Sequence, residues 1–244
     1  MSQGILIAEE QVILQSAEPA LATTFSDAAV KRTTTKISKI VYKVTKRTFD
    51  IFTSLIGCLL TPLLAIFVKL TYILTGDFDP IFFSQKRIGK NGKEFNLYKF
   101  RTMVKDADLR LVELLENESY AAEWQKYRKL KNDPRISKVG KFLRKTSLDE
   151  FPQFLNVLKG DMSIIGNRPY LPREKSDIPI ALYDNLIATK PGITGYWQVS
   201  GRSNIGFDDR IQLENFYAEN ASLGFDLAIF FRTFKSVLST NGAD

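Results

Sequence analysis

Two adjacent carboxylates, Asp149 and Glu150, follow a basic run of Lys138, Lys141, Arg144 and Lys145 within the stretch Lys138-Val-Gly-Lys-Phe-Leu-Arg-Lys-Thr-Ser-Leu-Asp-Glu-Phe-Pro-Gln153. Positive neighbours lower carboxylate pKa values, so the pair is expected to stay ionised, as a nucleophile or a metal ligand must be. The same cations suit a phosphate or a diphosphate. A plainer reading competes: Ser147 caps a helix and Glu150 closes a capping box.

Composition limits the other chemistries. The 244 residues include no His and one Cys. That removes His-dependent triads and imidazole bases, an internal disulfide and a cysteine-rich zinc site. Acid–base or nucleophilic work must fall on Asp, Glu, Lys, Tyr, Ser or Thr. A net charge of +7 calls for anionic partners. The basic residues are scattered over hairpin, helix and loops, without an aromatic platform or a recognition helix, so nucleic acid is not the expected partner. Neither a phosphate-binding Gly-rich loop nor a dinucleotide fingerprint is present.

The elements that must position the dyad can be read in order. Residues 1–37 read as a weakly ordered basic leader without the layout of a signal peptide. From Lys31 to Arg47 there are basic residues and no acid, and residues 51–68 carry no charge at all. That run is just long enough for a membrane helix, its basic flank staying on the cytoplasmic side beside anionic headgroups. Pro62 interrupts it by removing one backbone donor and clashing with the carbonyl of Cys58. Thr53, Ser54 and Thr61 are placed to satisfy freed backbone groups. Three arrangements compete: a broken re-entrant helix, a single kinked span and a buried core helix.

Beyond it, Asn91-Gly92 between alternating residues predicts a hairpin, basic at both ends through Lys86, Arg87, Lys99 and Arg101. A solvated sheet edge explains those charges equally well. Residues 106–131 read as one or two helices packed through Leu109, Val112, Leu115, Trp124 and Tyr127. A turn follows at Asn132–Arg135, and residues 138–158 are helical with interruptions near Ser147 and Pro152. The helix start near the dyad should favour its anionic forms through its dipole. Arg168, between a tight turn and Pro169, is a preorganised anion donor. The turn-rich run from Lys190 to Arg202 suits a loop that approaches a ligand closely. Leu227, Phe230, Phe231, Phe234, Val237 and Leu238 form a helical stripe that is either core or a membrane-lying face.

Taken in order, the motifs Lys46-Arg47-x-x-Asp50, Lys99-Phe-Arg101-Thr-Met103, Leu148-Asp149-Glu150-x-Pro152-Gln153-x-x-Asn156, Gly160-Asp161-Met162-Ser163, Arg168-Pro169 and Pro191-Gly192-Ile-Thr-Gly195-x-Trp197-Gln-Val-x-Gly201-Arg202 resemble those of the bacterial sugar transferases, the monotopic polyprenyl-phosphate phosphoglycosyl transferases. The likeness runs from about Lys43 to Leu238. It implies transfer of a sugar 1-phosphate from a UDP-sugar to undecaprenyl phosphate with release of UMP, initiating an exopolysaccharide, capsule or O-antigen type of glycan. By that resemblance Asp149 attacks the sugar-side phosphorus to form a phosphosugar-aspartyl intermediate, and Glu150 binds Mg²⁺. Lys99, Arg101, Arg144, Arg168 and Arg202 match positions near the substrate phosphates.

The resemblance also implies an α+β, mainly helical fold: a re-entrant helix (38–75) broken at Thr61-Pro62, then a small catalytic domain (76–244) with a β-hairpin and amphipathic interfacial helices. The implied location is the bacterial inner membrane, catalytic domain facing the cytoplasm, with membrane lipids as further partners and a homo-oligomer left open. The long insertion at 106–131 leans towards galactose or glucose donors. Two departures stand out. Asn167 replaces a common Pro and is expected to loosen the Arg168 loop, whereas Thr61-Pro62 in place of Ser-Pro should change little. Direct attack by polyprenyl phosphate in a ternary complex, and a non-catalytic scaffold for anionic lipid, are the competing functions.

Overall fold

The charge-free run and the described part of its basic flank, from Lys36 on, form one helix. In the computed structural model, which describes residues 36–201 and 205–238, α1 extends over Lys36–Leu74 with Pro62 inside it. The leader up to Thr35 lies outside the described residues. Among the described residues, those from Tyr42 onward pack as one unit.

Helical backbone continues through Pro62, so the expected break is absent. Pro62 removes a single bond of the ladder. The Thr61 hydroxyl donates to the Gly57 carbonyl at 2.7 Å, one residue before the carbonyl that Pro62 leaves free.

Side chains at helical spacing decide which way α1 faces. Asp50, Ser54, Gly57, Val68 and Tyr72 are buried, while Phe52, Leu55, Leu59, Leu63, Ile66 and Leu70 are exposed. Only 17% of its most apolar stretch is buried. A core helix would bury most of that surface, so this reading is excluded.

After α1 comes the expected hairpin: β1 (Phe82–Ile88) pairs antiparallel with β2 (Glu94–Phe100), Phe82 opposite Phe100 and Ile88 opposite Glu94. Asn91 and Gly92 close it with φ of 56° and 80°, values those two residues tolerate best. Helices α2 (Ala107–Leu114) and α3 (Glu118–Tyr127) fill the predicted helical region. Their packing differs from expectation: Leu111 is the buried residue of α2, while Leu109 and Val112 are exposed.

Next come α4 (Lys138–Lys145), a 3₁₀ turn at Leu148–Glu150, α5 (Gln153–Lys159) and β3 (Ser163–Ile165). After α6 (Ile180–Ile187), β4 (Gly192–Thr194) lies parallel to β3. The four-residue α7 (Tyr196–Val199), α8 (Phe207–Asn220) and α9 (Leu223–Leu238) complete the fold. One core joins Val68 and Tyr72 of α1 to Phe100 of β2 and to Val139 and Leu143 of α4, with Leu148 and Phe151 packed on it. A second gathers Ile88, Tyr170, Ile178, Leu186, Phe207 and Ile211. In α9, Phe225, Asp226 and Ile229 face inward, whereas Leu227, Phe231 and Phe234 are exposed, so that stripe is largely an outer face.

The turn at 132–135 holds a buried ion pair. Arg135 donates to Asp133 through Nε at 2.8 Å and Nη2 at 2.6 Å. Arg135→Leu is expected to cost about 3–5 kcal/mol, because Asp133 would remain buried without its partner. Denaturant unfolding checks this; a loss below about 1 kcal/mol would show that water reaches Asp133.

Candidate active site

The dyad sits on a turn whose local geometry differs from a capped helix start. Ser147 has φ of 57° and its side chain makes no capping bond. The expected capping box is therefore absent. The 3₁₀ turn is followed by Pro152 and then α5, which ends at Gly160 with φ of 91°. Asn156, fully buried, explains its own place in the spacing: its Oδ1 accepts from the Tyr98 N–H at 3.1 Å and its Nδ2 donates to the Asn96 carbonyl at 2.7 Å. Those two bonds fasten α5 to β2, and with it the turn.

β2 and α4 supply cations to this turn. Lys99 of β2 donates to Glu150 Oε1 at 3.0 Å. Arg144 of α4 is held by its Nε donating to Thr102 Oγ1 at 3.0 Å. Asp149 is only 7% exposed. Its burial raises its pKa to about 6, against the downward pull of Lys99 and Arg144 and with Glu150 adding to the rise. The sequence predicted the opposite sign, because it displays the neighbouring charges but not the loss of solvent. At neutral pH the carboxylate is still mostly ionised.

The other proposed phosphate ligands separate into groups. Arg101 is committed elsewhere: Nη2 and Nη1 meet Asp77 at 2.8 and 3.0 Å, Nε donates to the Pro80 carbonyl at 2.8 Å, and its guanidinium lies 4.4 Å from the Tyr72 ring. It braces the end of α1 against the hairpin. Arg168 lies 3.5 Å from Glu174, and its backbone N–H donates to Glu214 at 3.2 Å. Arg202 lies outside the described residues.

Of the groups around Arg168, sequence reasoning named only Arg87, as a charge at one end of the hairpin. Arg87 donates to the Pro169 carbonyl at 3.0 Å and to Gln85 at 2.7 Å, and burial lowers its pKa to about 9, with Arg168 pushing the same way. Arg210 and Glu214, one turn apart on α8, face the same region, and the buried Tyr170 hydroxyl donates to Glu214. Burial raises the Glu214 pKa. Arg87 Nε and Arg210 Nε and Nη2 are buried without a hydrogen-bond partner among the described residues. The available signal was the i, i+4 pairing of Arg210 with Glu214.

Residues 41–240 match the family described as bacterial sugar transferase. The chain belongs to that family. It is 47% identical over 203 residues to the undecaprenyl-phosphate galactose phosphotransferase of Salmonella typhimurium, covering 81% of this chain and 41% of that protein. It is 39% identical over 222 residues to the UDP-galactose-lipid carrier transferase of Erwinia amylovora, covering 89% and 45%. With the exopolysaccharide production protein ExoY of Rhizobium meliloti the identity is 39% over 204 residues, covering 81% and 87%. The chain thus spans less than half of the first two relatives and most of the third.

In this bacterial sugar transferase the departure at Asn167 does not loosen the Arg168 loop. Asn167 is buried, its Nδ2 donates to the Leu186 carbonyl at 3.1 Å, and its own carbonyl accepts from the Gly192 N–H at 2.8 Å. Side-chain bonding supplies the rigidity that Pro would have given. The donor set also bears on Mg²⁺. No cluster of three or more acidic or thiol ligands occurs among the described residues. A single carboxylate at Glu150 fits a Mg²⁺ ion that would take its other ligands from substrate phosphates and water, and it does not form a cage that would hold the ion alone.

Proposed function

We propose that this protein transfers a sugar 1-phosphate, galactose or glucose, from its UDP-sugar to undecaprenyl phosphate, releasing UMP and starting an exopolysaccharide or capsule type of glycan. The observation that carries this reading is Asp149: a buried, ionisable carboxylate with Lys99 and Arg144 beside it, on a turn packed against an apolar helix. The names of the relatives, two of which specify galactose, support the same choice of substrates.

In the first step an Asp149 oxygen attacks the phosphorus next to the sugar. A carboxylate–phosphorus bond forms, the bond to the bridging oxygen breaks, and UMP leaves with that electron pair. In the second step an oxygen of undecaprenyl phosphate attacks the same phosphorus, and Asp149 departs as the free carboxylate. No base is needed for either attack, since both nucleophiles are anions at neutral pH. Arg144 and Lys99 offset the negative charge that gathers at the turn, and Arg87, Arg168 and Arg210 offer donors to the rest of the diphosphate. Glu150 would hold Mg²⁺, which supplies neutralisation of the diphosphate when bound.

Contacts along α1 support a helix that enters the inner membrane and returns to the cytoplasmic side. Arg47 reaches the Val157 and Leu158 carbonyls, while Lys69 reaches those of Phe78 and Asp79. Tyr72, near the other end, donates to the Arg101 carbonyl at 2.5 Å. A helix crossing the bilayer would leave its two ends on opposite sides, unable to serve one unit. Pro62 can bend a helix without ending it.

The test is UMP release from a panel of UDP-sugars with undecaprenyl phosphate in membranes. Turnover of UDP-galactose or UDP-glucose is expected, lost on chelation of Mg²⁺ and restored by adding it back. Anionic-lipid binding without UMP from any UDP-sugar would leave the scaffold reading in its place. A phosphosugar adduct on Asp149 is the expected intermediate; sequential kinetics with no adduct would favour the ternary complex.

A further inference from the structure

The segment that carries the dyad, residues 148–159, is fastened to α1 at both ends and in the middle. At its start, Leu148 and Phe151 pack on the core that contains Val68 and Tyr72, with Leu64 and Ala65 alongside. In its middle, the Phe154 ring occupies the space above Gly57, where a Cβ would overlap the ring atoms. At its end, Arg47 donates through Nη1 to the Val157 carbonyl at 2.7 Å and through Nη2 to the Leu158 carbonyl at 2.9 Å.

The last contact answers a need of the backbone. The final carbonyls of a helix lack the usual partner one turn on. At the end of α5 the Gly160 N–H reaches the Val157 carbonyl at 3.0 Å, and Arg47 adds a second donor there and one to Leu158. A guanidinium is planar and presents paired donors, so one side chain can hold two successive carbonyls in a fixed direction. The strand that follows is held by the same helix: Asp50 accepts from Ser163 Oγ at 2.9 Å and from the Ile164 N–H at 2.8 Å. Lys46 adds bonds to Asp226 at 2.7 Å and to the Ile165 carbonyl at 2.9 Å. The cations that face Asp149, in contrast, come from β2 and α4. The nucleophile and its electrostatic partners are therefore carried by different elements, and α1 adds to the two Asn156 bonds in fixing one against the other.

We propose that Arg47 and Gly57 are positioning residues: through α5 they place Asp149 and Glu150 against Lys99 and Arg144. This rests on the reading of Asp149 as the reacting group. A displacement of about 1 Å at a reacting atom costs on the order of a hundredfold in rate, while substrate phosphates held by other arginines keep their affinity.

The experiment measures UMP release by the full chain in membranes, with kcat and KM for the UDP-sugar, for Gly57→Ala, Gly57→Ala with Phe154→Ala, Arg47→Gln and Arg47→Lys. Gly57→Ala is expected to lower kcat at least about tenfold with KM within about twofold, since the added methyl pushes the Phe154 ring. Removing that ring in the double variant should recover most of the loss, a rescue that general damage to the fold would not show. Arg47→Gln should lower kcat in the same way, and Arg47→Lys, which keeps a charge but not the fork, should fall between. The proposal is overturned if Gly57→Ala keeps kcat within twofold of the unaltered protein, or if Phe154→Ala brings no recovery. An unaltered protein that releases no UMP would instead sink the proposed function, so the two failures are distinct.

Discussion

Asp149→Asn should abolish UMP release and yet, at pH 7.5, raise the melting temperature. The activity half follows from chemistry: an amide does not displace UMP, so the rate should fall at least about a thousandfold. The stability half follows from burial. Asp149 in the fold has a pKa of about 6, above the usual carboxylate value, and removal from solvent is the main cause. A group whose folded pKa is raised contributes stability that is fully present below its unfolded pKa and is lost as pH rises through its folded pKa. Above about pH 6 the native protein thus carries a buried charge, a burden on the order of 2–3 kcal/mol. Asparagine escapes that burden, which in a domain of this size corresponds to several degrees. The advantage should shrink towards pH 4, where the native carboxyl is protonated. Thermal melts at pH 7.5 and pH 4.5 read this directly. A variant that is inactive and less stable at pH 7.5 would make Asp149 a structural acid.

The sign of that pKa was hidden in the sequence, although the residue was not. Asp149 and Glu150 stood out because adjacent carboxylates behind a basic run are legible one-dimensionally, whereas burial depends on Leu148, Phe151 and α1 meeting in space. The hairpin was legible for a local reason, since Asn91 and Gly92 adopt the left-handed backbone that their types favour. The capping box failed for a local reason too: Ser147 itself took that conformation and could not aim its hydroxyl at the turn. Lys99 and Arg101 look equivalent in their motif, being two apart at the end of the hairpin. Only the loop bearing Asp77 separates them, binding Arg101 and leaving Lys99 to Glu150. For α1, length and apolarity were plain, but not which face meets the catalytic body. Asp50, Ser54 and Gly57, the residues least suited to lipid, turned out to mark it. Arg87 was visible as a hairpin charge and Arg210 with Glu214 as an i, i+4 pair, but their meeting with Tyr170 was not, because the members are drawn from distant parts of the chain.

Lys99→Met and Glu150→Gln are expected to move the acid limb of the activity profile in opposite directions. In the free protein kcat/KM should rise with pH as Asp149 ionises, with a midpoint near 6. After burial, Lys99 exerts the largest pull on that carboxyl, downward, and Glu150 the next, upward. Without Lys99 the anionic form loses its nearest support, so the limb should shift up by about one pH unit or more. At pH 6 a one-unit shift alone costs about fivefold in rate, and most of it should return at pH 8. Without the Glu150 charge the limb should shift down, even though the rate at its plateau falls because a Mg²⁺ ligand is gone. Loss of phosphate binding or of metal affinity changes the height of a profile, whereas only the ionisation of the reacting group moves its midpoint in opposite senses for two substitutions of opposite charge. Profiles taken at saturating Mg²⁺ separate these effects. If both variants keep the midpoint of the unaltered protein, the limb belongs to a substrate phosphate and the link between Asp149 ionisation and catalysis fails.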